Sequence, residues 1–123
     1  MANVLTNTGE AVFTDLIDGT SSIHLDTTNA KVAWGTGAGT SAKGDTTLFT
    51  EASEARVAAT VSQPFADTNR WVAQLTADGT KTITNAGLFD AATSGNLIIK
   101  GDFTGISLNA NDRIEFTIEC EHQ

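Results

Sequence analysis

Three shortages bound this 123-residue chain before any motif is read: one cysteine, one proline, and no apolar run near the length of a membrane span. Cys120 alone cannot close an intrachain disulfide, so the fold is no disulfide scaffold, and assembly in a reducing cytoplasm suits it. Basic residues are scarce too: 7 Lys and Arg face 15 Asp and Glu, a net charge of −8. So acidic a surface repels phosphate backbones and anionic headgroups, so neither direct nucleic-acid binding nor membrane adsorption is expected. The opening Met1-Ala2-Asn3-Val4-Leu5 has neither the basic start nor the apolar stretch of a signal peptide. Charged residues make up only 18%, but hydrophobics reach 40%, which fits one ordinary folded domain rather than a disordered chain. Thr, Ser, Asn and Ala fill the gap left by charge, and the excess of β-branched Thr favours strands.

Chemical motifs are missing as well. The run Ala33-Trp34-Gly35-Thr36-Gly37-Ala38-Gly39-Thr40 invites a phosphate-loop reading, but that loop needs Gly-Lys-Ser/Thr at its end. Here Lys43 precedes Gly44 and Asp45 follows it, and Thr40 stands where a dinucleotide fingerprint needs its last glycine. The glycines read instead as a slender loop able to lie close to another chain, anchored by Trp34. His24 with Asp26, and Glu119 and Glu121 with His122, lack a recognisable ligand spacing and read as solvated faces, so no metal or cofactor is expected. There is no Gly-x-Ser-x-Gly elbow, and Cys120 alternates with core residues as a small hydrophobe. Trp34 and Trp71 both fall in apolar registers, which favours core over a sugar platform. A non-enzymatic protein is expected.

What is present is mostly strand. Phe13, Leu16 and Ile17 at i, i+3, i+4 predict one short helix over Gly9–Asp18, with Thr8 as candidate N-cap and Gly19 as its stop. Residues 1–8 read as a polar extended arm, and 9–123 as a single β-sandwich domain. Ser21–Asp26 is a weak strand or loop, and Lys31–Trp34 a better strand. Glu54–Gln63 alternates with Val57, Ala59 and Val61 inward, and Pro64 ends it. Asn69–Ala77 places Trp71, Ala73 and Leu75 on one face, and Asp78-Gly79 signals a two-residue hairpin. The register that hairpin implies sets Ile83 across from Gln74, off the Trp71/Leu75 face; a bulge, a longer loop or a doubly buried strand would resolve this. Asn96–Thr104 sets Leu97, Ile99 and Phe103 opposite Ile98, Lys100 and Asp102. Arg113–Glu121 alternates most cleanly, with Ile114, Phe116, Ile118 and Cys120 facing away from Arg113, Glu115, Thr117, Glu119 and Glu121. Strands at short intervals with turns between them, without βα alternation, predict an all-β antiparallel sandwich, jelly-roll-like, with one N-terminal helix.

The segments Ala33-Trp34-Gly35-Thr36-Gly37, Asp45-Thr46-Thr47-Leu48, Glu51-Ala52-Ser53-Glu54-Ala55-Arg56, Ile83-Thr84-Asn85-Ala86-Gly87-Leu88-Phe89-Asp90-Ala91-Ala92, Gly95-Asn96-Leu97 and Asp112-Arg113-Ile114-Glu115-Phe116-Thr117 carry a resemblance. In this order, from Leu5 to Glu121, the chain resembles small β-rich virion proteins of tailed bacteriophages, and among them capsid cement (decoration) proteins. The resemblance implies a jelly-roll-like sandwich that forms dimers or trimers on the outer capsid surface and braces the major capsid protein lattice after synthesis in the host cytoplasm. It brings no catalytic residues. Candidate contacts toward capsid protein or sister subunits are Asn3, Val4 and Leu5 of the arm, Phe13 and Leu16 of the helix, and Gly35, Gly37, Gly39 and Lys43 of the glycine loop. A tail or baseplate component, including a receptor-binding tip, is the second reading, and a carbohydrate-binding domain the third.

Overall fold

The computed structural model describes residues 3–20 and 24–122. In chain order the elements are β1 (Asn3–Leu5), α1 (Asn7–Asp18), β2 (Lys31–Gly35), β3 (Val57–Ala58), β4 (Thr60–Phe65), β5 (Thr68–Thr76), β6 (Lys81–Phe89), β7 (Leu97–Leu108) and β8 (Arg113–Glu121). They form two antiparallel sheets, ordered β1-β7-β6-β2-β3 and β4-β5-β8. This is the expected all-β sandwich with one short N-terminal helix. The chain crosses between the sheets after β3, β5 and β7, while β4–β5 and β6–β7 pair locally.

The core between the sheets gathers Val32, Trp34, Ala73, Leu75, Ile83, Leu88 and Ile98, with Trp71 beside them. Trp34 is 1% exposed and Trp71 3%. Each indole N–H finds an acceptor at 2.9 Å: Glu54 Oε1 for Trp34 and the Leu25 carbonyl for Trp71. A buried aromatic ring with its polar edge satisfied contributes burial without an orphan donor, about 4–6 kcal/mol as an upper bound for an indole. Phe116 of β8 meets Trp34 edge-on at 6.2 Å, so one aromatic contact bridges the sheets.

The larger sheet is covered on its outer side too. The connection between β2 and β3 folds back over β2, β6 and β7. Thr36 N–H donates to Thr50 O at 2.9 Å and Gly37 N–H to Phe49 O at 2.8 Å, an extra strip of pairing alongside the Gly35–Glu51 bridge. Leu48 packs with Ala33, Phe89 and Leu97 in a second apolar cluster. Asn85, fully buried in β6, accepts from Phe49 N–H at 3.0 Å and donates to Phe49 O at 3.1 Å. Its amide does for the loop what a neighbouring strand would do. Lys100 is 1% exposed; its ammonium bonds Asp45 and Thr47 O at 2.9 Å each and lies 3.2 Å from the Phe49 ring centroid. A buried cation with a carboxylate, a carbonyl and a ring face around it is compensated rather than stranded.

Several expectations are corrected. The extended arm joins the larger sheet, where Asn3, Val4 and Leu5 pair with Gly101, Lys100 and Ile99, and the N-cap is Thr6, not Thr8. Thr6 accepts from Gly9 N–H at 2.9 Å and donates to Leu97 O at 2.6 Å, tying strand to helix. Glu54–Gln63 is not one strand, because Ala59 turns the corner from β3 in one sheet to β4 in the other. Pro64 lies inside β4, at the bulge of an edge strand, where a missing N–H is tolerated. Asp78-Gly79 makes no hairpin. It lies in the crossover from β5 to β6, held by Asp78 N–H to Glu54 and Ser53 Oγ to Asp78, and the mismatch at Ile83 vanishes because β5 and β6 are in different sheets. In β7 the pairing slips between Leu88–Ile99 and Phe89–Leu97, leaving Ile98 as an extra residue. Ile98 therefore joins Ile99 on the core side, and Leu97 faces the outer cluster. Of Ser21–Asp26, residues 24–26 are not strand; Ile23 lies outside the described residues.

Candidate functional site

Helix α1 begins where Thr6 caps it and ends at Gly19, whose left-handed φ of 79° suits glycine. Only Gly9 in it is buried, and a Cβ there would stand 2.4 Å from Ile98 O, so the helix start is pressed onto the β7 backbone. One turn on, the helix tilts into solvent. Val12, Phe13 and Leu16 are half-covered, and Ile17 is 87% exposed. The apolar stripe is wider than the chain's own sheets can cover.

Phe13, Leu16 and Ile17 form one wall of a hollow of about 300 Å³, completed by Leu25, Val61 and Trp71 among others. His122 and Asn69 sit at its rim, bonded to one another at 3.0 Å, and the His122 ring lies 6.0 Å from Phe13. The β4–β5 turn joins this end of the sandwich through His122 N–H, which donates to Asp67 O at 2.8 Å, and the adjacent Phe65 is 65% exposed. The patch is apolar with a polar rim, an arrangement suited to protein contact.

Six of the nine proposed contact residues fall into two groups. Phe13 and Leu16 belong to this patch. The β1 residues, the start of α1 and Lys43 form a neighbouring seam, where Asn7 N–H donates to Lys43 O at 2.8 Å and the Lys43 ammonium bonds Glu10. Gly35, Gly37 and Gly39 fall in neither. A Cβ on each would stand 2.5, 2.7 and 2.7 Å from Phe49 O, Thr50 Oγ1 and the Phe49 ring. The close approach that these glycines permit is to their own chain. Ile17 and Phe65 were missed by sequence reasoning. Ile17 follows the helical period, which puts it on the helix's apolar face without saying whether the chain's own sheet or a neighbour covers that face; here it is left exposed.

The polar clusters flagged in the sequence have other duties. Glu119 is bonded to Arg70 at 2.8 and 2.9 Å, and Asp26 accepts the Thr28 and Asn29 N–H groups of its own turn. Among the described residues no group of three His, Cys, Asp or Glu converges in a way that could hold a metal ion. Burial pushes the Cys120 thiol upward, toward the inert protonated form. With both indoles buried, neither offers a stacking face to a sugar. The most perturbed carboxyl is Glu54: burial pushes it up, but bonds from Lys81, the Asp78 N–H and Trp34 outweigh this and bring it down to about 2. Each of those contacts is structural.

Comparisons with protein-family models, with curated proteins and with solved structures find no match for this chain.

Proposed function

We propose that the chain is a non-enzymatic virion protein of a tailed bacteriophage, a capsid decoration protein that sits on the outer face of the major capsid protein lattice and stabilises the head. The observation that supports contact of this kind is the exposed apolar patch of α1, with Ile17 at its centre and the hollow behind it. On a lattice, many modest contacts of one kind add through avidity. The outer face of the larger sheet is covered by the chain's own loop, so docking falls to the helix end. A tail or baseplate component is the second reading, supported by the same patch at lower copy number.

Two measurements test it. A stained gel of purified particles gives the copy number: hundreds per particle support decoration, and a handful sinks it in favour of the tail. Binding of the purified protein to expanded heads should fall at least tenfold in Ile17→Asp, whose exposed site keeps stability within about 0.5 kcal/mol of wild type. Unchanged occupancy by that variant would remove α1 as the contact.

A further inference from the structure

The margins of the two sheets are guarded unequally. β1 is three residues long, β3 is two, and β4 carries Pro64 and a bulge. These are the devices that stop edge strands from pairing with other chains. β8 is neither short nor interrupted by proline or a bulge; its guard is the charge on its solvated face, Arg113, Glu115, Glu119 and Glu121. It runs nine residues in unbroken register with β5, without proline, and its core-facing side is Ile114, Phe116, Ile118 and Cys120. Those four are only half-covered, whereas Trp71, Ala73 and Leu75 beside them on β5 are buried.

The bonds just beyond its ends fix which backbone groups face outward. His122 N–H donates to Asp67 O, and Asp112 O accepts from Ala77 N–H, both at 2.8 Å toward the β5 side. Even-numbered residues therefore turn to β5. Arg113, Glu115, Thr117, Glu119 and Glu121 direct their N–H and C=O groups away from it.

We propose that this edge pairs with the same edge of a second copy, antiparallel about a twofold axis through Thr117, giving one continuous six-stranded sheet across a dimer. In that register Arg113 of each copy meets Glu121 of the other. On the core side Ile114 meets Cys120 and Phe116 meets Ile118. Glu115 meets Glu119, whose charge Arg70 already holds through two bonds. Sliding two residues one way sets Cys120 against Asp112; sliding the other way sets Glu115 against Glu121 and leaves Arg113 beyond the partner strand. Only the Thr117-centred register keeps all nine residues paired. The stretch of β7 beyond its pairing with β1 lies beside β8, where Phe103 meets Phe116 at 6.1 Å between ring centroids. Both rings line the β7–β8 cleft of about 200 Å³. The inference takes up the dimer-or-trimer expectation that the resemblance carries, chooses the dimer, and rests on no capsid contact.

Sedimentation equilibrium of the full chain, with charge-swapped variants, tests it. Wild type should be a dimer of 12.8 kDa chains at micromolar concentration. Arg113→Glu and Glu121→Arg should each weaken the dimer by about tenfold or more, and the double variant R113E/E121R should restore it to within about threefold. Within one chain these residues stand at opposite ends of β8, roughly 27 Å apart at 3.4 Å per residue, so rescue can arise only between copies. A monomer at about 100 μM, a trimer, or single variants without effect would overturn the pairing. So would failure of the double variant to recover while its circular dichroism stays native. Capsid binding is read separately: a monomer that still decorates heads refutes the dimer alone, and a dimer that ignores heads refutes the decoration reading alone.

Discussion

Glu54 is the carboxylate on which the crossover between the sheets depends, and replacing it with Gln gives a number that can be checked. Its side chain accepts from Trp34 and from the Asp78 N–H, each at 2.9 Å, and pairs with the Lys81 ammonium. Both partners of the ion pair are largely covered, with side chains 9% and 13% exposed. The carboxyl sits at about 2, against an ordinary 4.5. At 1.36 kcal/mol per tenfold, that gap corresponds to on the order of 3 kcal/mol of stability. The folded carboxyl is the stronger acid, so this stability is complete above pH 4.5 and is lost as pH falls toward about 2. Glu54→Gln keeps an acceptor for Trp34 but removes the charge facing Lys81. Near neutral pH it should lose about 2–3 kcal/mol, or roughly 10 °C in Tm. Urea titrations followed by tryptophan fluorescence, run from neutral pH down to about pH 2.5, should show wild type and variant converging as the wild-type carboxyl takes up its proton. The half-exposed Arg70–Glu119 pair is the control, and Glu119→Gln should cost under about 1 kcal/mol. A loss below about 0.5 kcal/mol at neutral pH, or an equal loss at both ends of the pH range, would refute this account of Glu54.

Other outcomes follow from the covered outer face of the larger sheet. Gly35→Val places carbon 2.5 Å from Phe49 O and 2.9 Å from the Asn85 amide, so it should destabilise by on the order of 3 kcal/mol in a denaturant titration of the isolated protein. If stability stays unchanged while only assembly fails, the glycine serves another chain after all. Asp45→Asn leaves the Lys100 ammonium buried without its carboxylate and should lose on the order of 3 kcal/mol near neutral pH. Wild type should also lose stability in acid, because the Lys100 and Ala42 bonds hold the Asp45 carboxyl below its usual value; flat stability between pH 5 and 2 would contradict this. Deleting residues 2–8 removes β1 and the Thr6 cap, so it should lower Tm as well as any binding, and an unshifted Tm would show that β1 contributes little.

Alternation was legible wherever one face of a strand meets water. β5 and β8 have a core side and a solvated side, so Trp71, Ala73 and Leu75, and the charges of β8, could be assigned from period alone. The helix was legible for the same reason. β6 and β7 were not, because the loop over the outer face buries their second side as well, and such strands carry no period-2 signal. Lys100 and Asn85 show the consequence. Each reads as a surface residue until the loop is folded over it, and then each holds that loop in place.

The sequence by itself determined an all-β sandwich with a short N-terminal helix, a core built on Trp34 and Trp71, and a clean amphipathic last strand. These are local properties, set by period, turn chemistry and side-chain volume. Tertiary structure decided the rest: that Asp78-Gly79 crosses between sheets, that β1 closes an edge, and that the glycines accommodate Phe49 of their own chain. It also decided that Ile17 stays in water and that β8 lies at a sheet edge, nine residues long without proline or bulge. The physical reason is the same in each case: periodicity reports which residues share a face, and only the packed chain decides what, if anything, covers it.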